Sequence, residues 1–334
     1  MNGNKLTVFN GLVDLASEKF GGKAEVASDD FFAPKENLLK TELPVFIPDK
    51  YTENGKWMDG WESKRKRTPG NDWCIIRLGL RGIIKGLDID TSYFLGNHPP
   101  YASAEACYSN PDSLAKKDWK YILNKSPLSP GSQNIFSVND ENIYNTVRLN
   151  IYPDGGVARF RVYGIVKPDS TELKKGELTD LAALINGGKV LVCNDMFFGS
   201  MDNLIAPGKS KVMGDGWETR RKRIPGYDWI IVKLNGAGKV RRIIVDTNLF
   251  KGNYPDKCSI EGCYNHDIPD DEITSTEVKW NEILNKTSLK GDTENLFESE
   301  LSETGSVTHI RLNIFPDGGV SRLRIFGTPD ITSK

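Results

Sequence analysis

The 334-residue chain holds only three histidines, His98, His266 and His309. It lacks an excess of either charge: 44 basic residues stand against 45 acidic ones, for a formal net charge of −1. That balance excludes a global electrostatic case for nucleic acid or an anionic membrane, so any basic feature must be local. Long apolar runs are missing as well, and none approaches the roughly 20 residues that a membrane helix needs. The opening MNGNKLTVFNGLVDLA has no charged-then-apolar layout of the signal-peptide kind. Together these absences predict a soluble, cytoplasmic protein with no membrane and no nucleic-acid partner, in which the acceptor triplet NKT at Asn285 stays idle. The cysteine count is odd, with Cys74, Cys107, Cys193, Cys258 and Cys263. Reduced, buried thiols are expected in that compartment. Cys258 and Cys263 with His266 do not have a usual zinc spacing.

What the chain does have is a second copy of itself. DGWESKRKRTPGNDW from Asp59 returns as DGWETRRKRIPGYDW from Asp215, with eleven of fifteen positions identical. LVDLASEKFGGKAEVASDDFFAPKENLL from Leu12 matches LTDLAALINGGKVLVCNDMFFGSMDNLI from Leu178. DIDTSYFLGNHPPYASAEACY from Asp88 matches IVDTNLFKGNYPDKCSIEGCY from Ile244. DWKYILNKSPL pairs with KWNEILNKTSL, and VRLNIYPDGGVARFRVYG with IRLNIFPDGGVSRLRIFG. The order is kept throughout. Two domains of about 155 residues follow, a comfortable size for one core. They are expected at 9–166 and 178–328, joined by a charged linker over 167–177 with one short helical turn.

Within each copy the signals are β. WCIIRLG, IIKGLDID and VRLNIYP are rich in Ile, Val and aromatics and end in Gly, Pro, Asp or Asn. Only LVDLASEKFGG reads as a short helix, closed by its glycines. Many short strands without intervening helices predict an all-β fold, two tandem jelly-roll β-sandwich modules.

RLNIYPDGGVARFR reads as a hairpin turning at Pro153-Asp154-Gly155-Gly156, with Tyr152 opposite Val157. Arg148, Asn150, Arg159 and Arg161 then share one face, and Leu149, Ile151, Ala158 and Phe160 the core face. In the second copy Arg311, Asn313, Arg322 and Arg324 lie opposite Leu312, Ile314 and Leu323. Two arginines and an amide suit a carboxylate. Taken alone, the hairpin favours the plainer reading, a polar face neutralised by acids on a neighbouring strand.

Other motifs carry less. NGAGKVRR at Asn235 lacks the first glycine and the Ser or Thr of a phosphate loop, so a two-residue hairpin turn is expected there. KRKR at Lys64 is flanked by Glu62 and Asp72, and RRKR recurs between Glu218 and Asp228, which argues against a targeting signal. No nucleophile elbow is present. The three histidines have no counterparts across the copies, so chemistry common to both cannot rest on histidine.

With these motifs the chain resembles the allantoicase family. DGWESKRKR, DIDTSYFLGNHPPYASAEAC and RLNIYPDGGVARFRVYG carry the resemblance, which runs from about Phe9 to Gly327. It implies two jelly-roll modules of the galactose-binding-like kind and a homo-oligomer. It implies hydrolysis of allantoate to ureidoglycolate and urea in purine breakdown. The first copy has ESKRK where the family commonly shows ETRR, which leaves the role of Lys64 open.

Allantoate carries one carboxylate and two ureido groups on one carbon. A site needs an arginine fork, partners for the ureido ends, and an acid or base to protonate the leaving urea and deliver water. First-copy candidates for acid or base are Glu62, Asp72, Asp90 and Glu105, with His98 of GNHPP as an extra, since Tyr254 replaces it in the second copy. Candidate clamps are Arg65, Arg148, Asn150 and Arg159. The second copy offers Glu218, Asp228, Asp246 and Glu261, with Arg221, Arg311, Asn313 and Arg322. Packing of Trp61 and Trp217 beside a structural ion-pair network is the alternative for the packet. A divalent metal stays open, though no cage of ligands is visible and the residues require no cofactor. Two other functions stay open: a non-enzymatic carbohydrate- or ligand-binding tandem and a related ureido-compound hydrolase.

Overall fold

The β-prone runs do become strands. The computed structural model describes residue 9 and residues 11–109, 118–168 and 177–330. The expected linker over 167–177, with its helical turn, lies largely outside these residues, as does the start of the opening segment. The chain divides into two compact units, Met1–Lys167 and Pro168–Lys334.

The first unit contains β1 (Val13–Asp14), β2 (Lys23–Ala27), β3 (Tyr51–Thr52), β4 (Gly55–Lys56), β5 (Trp61–Glu62) and β6 (Asp72–Asp90). It continues with β7 (Tyr101–Cys107), β8 (Lys120–Pro127), β9 (Gln133–Ser137), β10 (Ile143–Tyr152), β11 (Gly156–Val157) and β12 (Arg159–Val166). The second contains β13 (Thr179–Asp180), β14 (Lys189–Cys193), β15 (Trp217–Glu218), β16 (Asp228–Asp246) and β17 (Lys257–Cys263). It ends with β18 (Asn281–Ser288), β19 (Glu294–Phe297), β20 (Ser306–Phe315), β21 (Gly319–Val320) and β22 (Arg322–Pro329).

One long strand organises each unit. The first half of β6 pairs with β2 and β10, and β7 and β8 follow beyond β10. Its second half pairs with β12 and β9, and β1 follows beyond β12. The same strand therefore serves both layers of a sandwich. β16 does the same work with β14, β20, β22 and β19. Alternation puts Leu149, Ile151, Ala158 and Phe160 in the core of the first unit, and Leu312, Ile314, Leu323 and Ile325 in that of the second. The jelly-roll expectation holds.

Four local expectations do not. WCIIRLG and IIKGLDID are halves of the single strand β6. The segment at Asn235 is likewise no hairpin: β16 runs through it, with its register broken between Lys233 and Gly238. LVDLASEKFGG forms β1 and then one 3-10 turn, Glu18–Phe20, capped by left-handed Gly21. Asp14 prevents a longer helix, because its carboxylate accepts from the Ala16 and Val162 N–H groups and ties the chain to β12. Finally, β10 and β12 do not pair with each other. Arg148 sits beside Ile75 and Arg159 beside Asp90, in different layers. The Pro-Asp-Gly-Gly turn is wider than a two-residue hairpin because it is stapled to other loops. Gly156 N–H donates to Asn97 O at 2.8 Å, and β11 pairs with β5. Gly155 and Gly318 hold φ of 136° and 138°, and a Cβ on either would stand 2.7 Å from the carbonyl oxygen of Asn97 or Asn253. Only glycine fits both demands.

Candidate functional site

The DGWE packet lies at one end of its sandwich, where three loops meet. Trp61 is wholly buried, and its indole N–H donates to Asp29 O at 2.8 Å. Strand β5 extends to Glu62, which pairs with Gly156 and bridges Ala33. The Glu62 carboxylate accepts from Asn97 Nδ2 at 2.7 Å. Burial pushes its pKa up, against the Asn97 hydrogen bond. Downstream, Asp154 of the turn accepts from Lys66 N–H at 2.7 Å, and the Lys66 ammonium reaches Asp72 at 2.7 Å. Asp72 is buried and also accepts from the Ser28 hydroxyl. These bonds pin the basic loop at both ends. Arg65, just before Lys66, is exposed and has no ionic or hydrogen-bond partner among the described residues.

The second unit repeats this arrangement. Trp217 is buried with its N–H on Asp195 O at 2.9 Å, and Asn253 donates to Glu218 at 2.5 Å. Lys222 joins Asp317 through its N–H and Asp228 through its ammonium, at 2.8 Å in each case. A cleft of about 560 Å3 opens here, lined by Glu218, Arg221, Asn253, Tyr254, Asp317 and Phe198 among others. Arg221, like Arg65, is exposed without a partner among the described residues. Glu218, Asn253 and Arg221 thus line one cleft in the second unit, and in the first Asn97 holds Glu62 three residues before Arg65. A carboxyl, an amide and an arginine outside any ion pair among the described residues can together donate a proton to a leaving group and hold an anion.

The structure separates the remaining candidates from this cleft. Glu105 and Arg148 form an ion pair at 2.5 Å on the outer face of the β7–β10 sheet, with Asn150 donating to the same carboxylate at 2.8 Å. Trp119 covers the guanidinium at 4.9 Å. Glu261, Arg311, Asn313 and Trp280 copy this cluster, with the ion pair at 2.6 Å. The plain reading of the polar face was correct for these arginines: a neighbouring strand supplies the acid. Arg159 is buried and spent on Asp59, at 2.8 Å, and on three carbonyls. Arg322 is equally enclosed, by the Gly208, Asp215 and Ser321 carbonyls and the Ser210 hydroxyl. Neither is free to clamp a carboxylate, which corrects the expectation for both. Asp90 and Asp246 accept from the Ser92 and Asn248 N–H groups at 2.8 Å and shape the turn after the long strand.

His98 follows Asn97, and its Nδ1 is buried without a hydrogen-bond partner among the described residues. All five cysteines are free thiols, four of them buried, and burial raises Cys74 and Cys258 to about 12. Among the described residues, no three His, Cys, Asp or Glu side chains gather as a metal site would need.

Sequence reasoning passed over Asn97 and Asn253, Lys66 and Lys222, Asp154 and Asp317, and Asp29 and Asp195. Each pair was readable as an identical residue inside the duplicated motifs GN-P, RKR, PDGG and D-FF. Attention to charge alone hid the asparagines.

Comparison with known proteins agrees with the duplication. The family described as Allantoicase repeat matches twice, over residues 13–167 and 179–330. A probable allantoicase of Photobacterium profundum is 48% identical over 321 residues, covering 96% of this chain and 97% of that protein. Probable allantoicase 1 of Burkholderia mallei is 49% identical, with 95% of each chain covered. The crystal structure of allantoicase from Saccharomyces cerevisiae superposes with a TM-score of 0.79 at 36% identity, over 95% of this chain and 93% of that one. With both units matched and relatives spanning nearly its full length, the chain belongs to the allantoicase family.

Proposed function

We propose that the loop-end cleft is the place where this chain hydrolyses allantoate to ureidoglycolate and urea, in purine (allantoin) breakdown. As a family member it is a hydrolase of carbon–nitrogen bonds other than peptide bonds. One observation carries the site assignment. Glu62 is a carboxyl with a raised pKa, held by Asn97 three residues before Arg65, which has no partner among the described residues, and the second unit has the same three residue types lining one cleft.

In this reading Arg65 takes the substrate carboxylate through its fork, and Asn97 orients Glu62. Protonated Glu62 donates to the ureido nitrogen as its bond to the central carbon breaks, and the electron pair leaves with urea. The remaining ureido nitrogen stabilises the cationic carbon. Water adds its oxygen there and surrenders a proton, which restores the acid. Asp72 and Asp228 act through Lys66 and Lys222 as positioning residues. Glu218, Arg221 and Asn253 are the second-unit counterparts. The five free thiols fit a cytoplasmic setting, and we carry a homo-oligomeric assembly as part of the reading, checked by sedimentation against the monomer mass.

The test is urea and ureidoglycolate release from allantoate by the purified chain, with and without chelator. Saturable sugar binding with no urea would favour a binding tandem instead. Arg65→Ala should raise KM by about 10- to 100-fold, the loss of a charge-assisted pair in a half-exposed site. An unaltered KM would remove Arg65 from the site.

A further inference from the structure

The two clefts share their binding groups but differ in their means of moving a second proton. The first unit has His98 where the second has Tyr254. Tyr254 lines the second cleft together with Asn253 and Glu218. In the first unit Asn97, the neighbour of His98, holds Glu62. A neutral imidazole has a ring nitrogen that can accept a proton, whereas a phenol holds its own proton and is a poor base.

The exchange is not isolated. The Tyr254 ring lies against Gly291, where a Cβ would stand 2.5 Å from the ring carbon Cδ1. LSPGSQN of the first unit aligns with LKGDTEN of the second, so Pro130 stands in the place of Gly291. A tyrosine at 98 would have to share its space with that proline, and the smaller histidine relieves the conflict.

A third difference borders the same place. Nineteen residues separate Leu39 from Asp59, but only nine separate Ile205 from Asp215. The additional chain forms the β3–β4 hairpin, whose Asn54 donates to Phe31 O at 2.9 Å. Gly55 lies beside the ring of Phe32, the counterpart of the cleft-lining Phe198. The loop end of the first unit therefore carries a hairpin beside Phe32 that has no counterpart beside Phe198.

We propose that the two units have divided the work: the first cleft hydrolyses, with His98 as the group that accepts the proton of the attacking water, and the second binds the same class of small ureido carboxylate without turning it over. The inference rests on the hydrolytic reading of the cleft given above. The water oxygen bonds to the substrate carbon and its proton passes to His98. The carbon–nitrogen electron pair and the Glu62 proton leave with urea. The proton on His98 then returns to Glu62 through solvent, and the cycle balances. In the second cleft Glu218, Asn253 and Arg221 hold a ligand; of the other carboxylates lining it Asp317 accepts from the Lys222 N–H and Asp256 is exposed, and no imidazole stands among the lining residues.

The experiment joins turnover with binding stoichiometry. His98→Gln keeps a side chain that fits beside Pro130; it should lower kcat at least 100-fold with KM within about threefold, and remove the limb of the pH profile that rises with pH. Glu62→Gln should lose at least ten times more kcat than Glu218→Gln. Calorimetry of allantoate on the Glu62→Gln chain should find two molecules bound per chain, and one after Arg221→Ala is added. Near-normal kcat in His98→Gln would overturn the proposal, as would equal losses in the two glutamine variants. One molecule bound per chain regardless of Arg221 would overturn the second-cleft assignment. If the wild-type chain releases no urea, the hydrolytic reading itself fails, while the stoichiometry still reports on the second cleft.

Discussion

The two repeats share every paired strand of the sandwich, yet their clefts diverge at His98/Tyr254, at Pro130/Gly291 and in the hairpin found only in the first. What stays constant supports the frame: Trp61 and Trp217, the Lys–Asp pairs, the Asn–Glu hydrogen bonds and the glycine turns. What varies borders the proposed binding clefts. A duplicated sandwich preserves its frame because each copy must still bury its own core, whereas a second cleft can change its chemistry without unfolding.

The comparison is sharpest where the copies should behave alike. Trp61→Ala and Trp217→Ala each remove a fully buried indole and its hydrogen bond to a loop carbonyl. Each should cost about 3–5 kcal/mol, seen as a lowered denaturation midpoint. A loss confined to one variant would mean that the packets do different structural work.

Valine at Gly155 or at Gly318 should come next. The left-handed conformation costs about 1–3 kcal/mol for a residue with a Cβ, and the approach to the Asn97 or Asn253 carbonyl adds to it. Since the turn also carries Asp154 or Asp317, which anchors the basic loop, Gly155→Val should in addition depress urea release, and more than Gly318→Val does. Equal losses of activity would argue that both clefts turn over substrate.

The smallest expected effect belongs to a residue without a counterpart. Asp88 is buried in the first repeat, its Oδ1 without a partner among the described residues, where the second repeat has Ile244. Burial, then the neighbouring Asp90, pushes its pKa up to about 7. Below the ordinary value of 3.8 the carboxyl is protonated in both folded and unfolded chains and has no effect on stability. As pH rises the unfolded chain gives up the proton first, so the folded state is penalised progressively until pH passes about 7. Asp88→Asn should therefore stabilise the chain by on the order of 1–3 kcal/mol near pH 8 and by nothing near pH 3.5. Urea denaturation at the two pH values checks this, and a gain of the same size at both would show that titration is not its cause.

Much of the frame was legible in the residues. The ordered duplication, the alternation of Leu149 and Ile151 with Arg148 and Asn150, and the left-handed demand at Gly155 all follow from local pattern, because period and turn chemistry are properties of neighbouring residues. The helix read into LVDLASEKFGG failed because Asp14 is engaged by Val162, a contact 148 residues away. The clamp read into Arg159 failed for a related reason. A facing pair was inferred across β10 and β12, but β6 separates them, and Asp59 takes the guanidinium. Sequence by itself determined the all-β class, the two copies, the core faces and the pool of charged residues from which a site could be built. Tertiary structure alone decided which charges are spent and which are free. Arg148, Arg159 and Arg65 are one residue type in similar local settings, and only the strand or loop brought beside each, from far along the chain, leaves Arg65 alone of the three without a partner among the described residues.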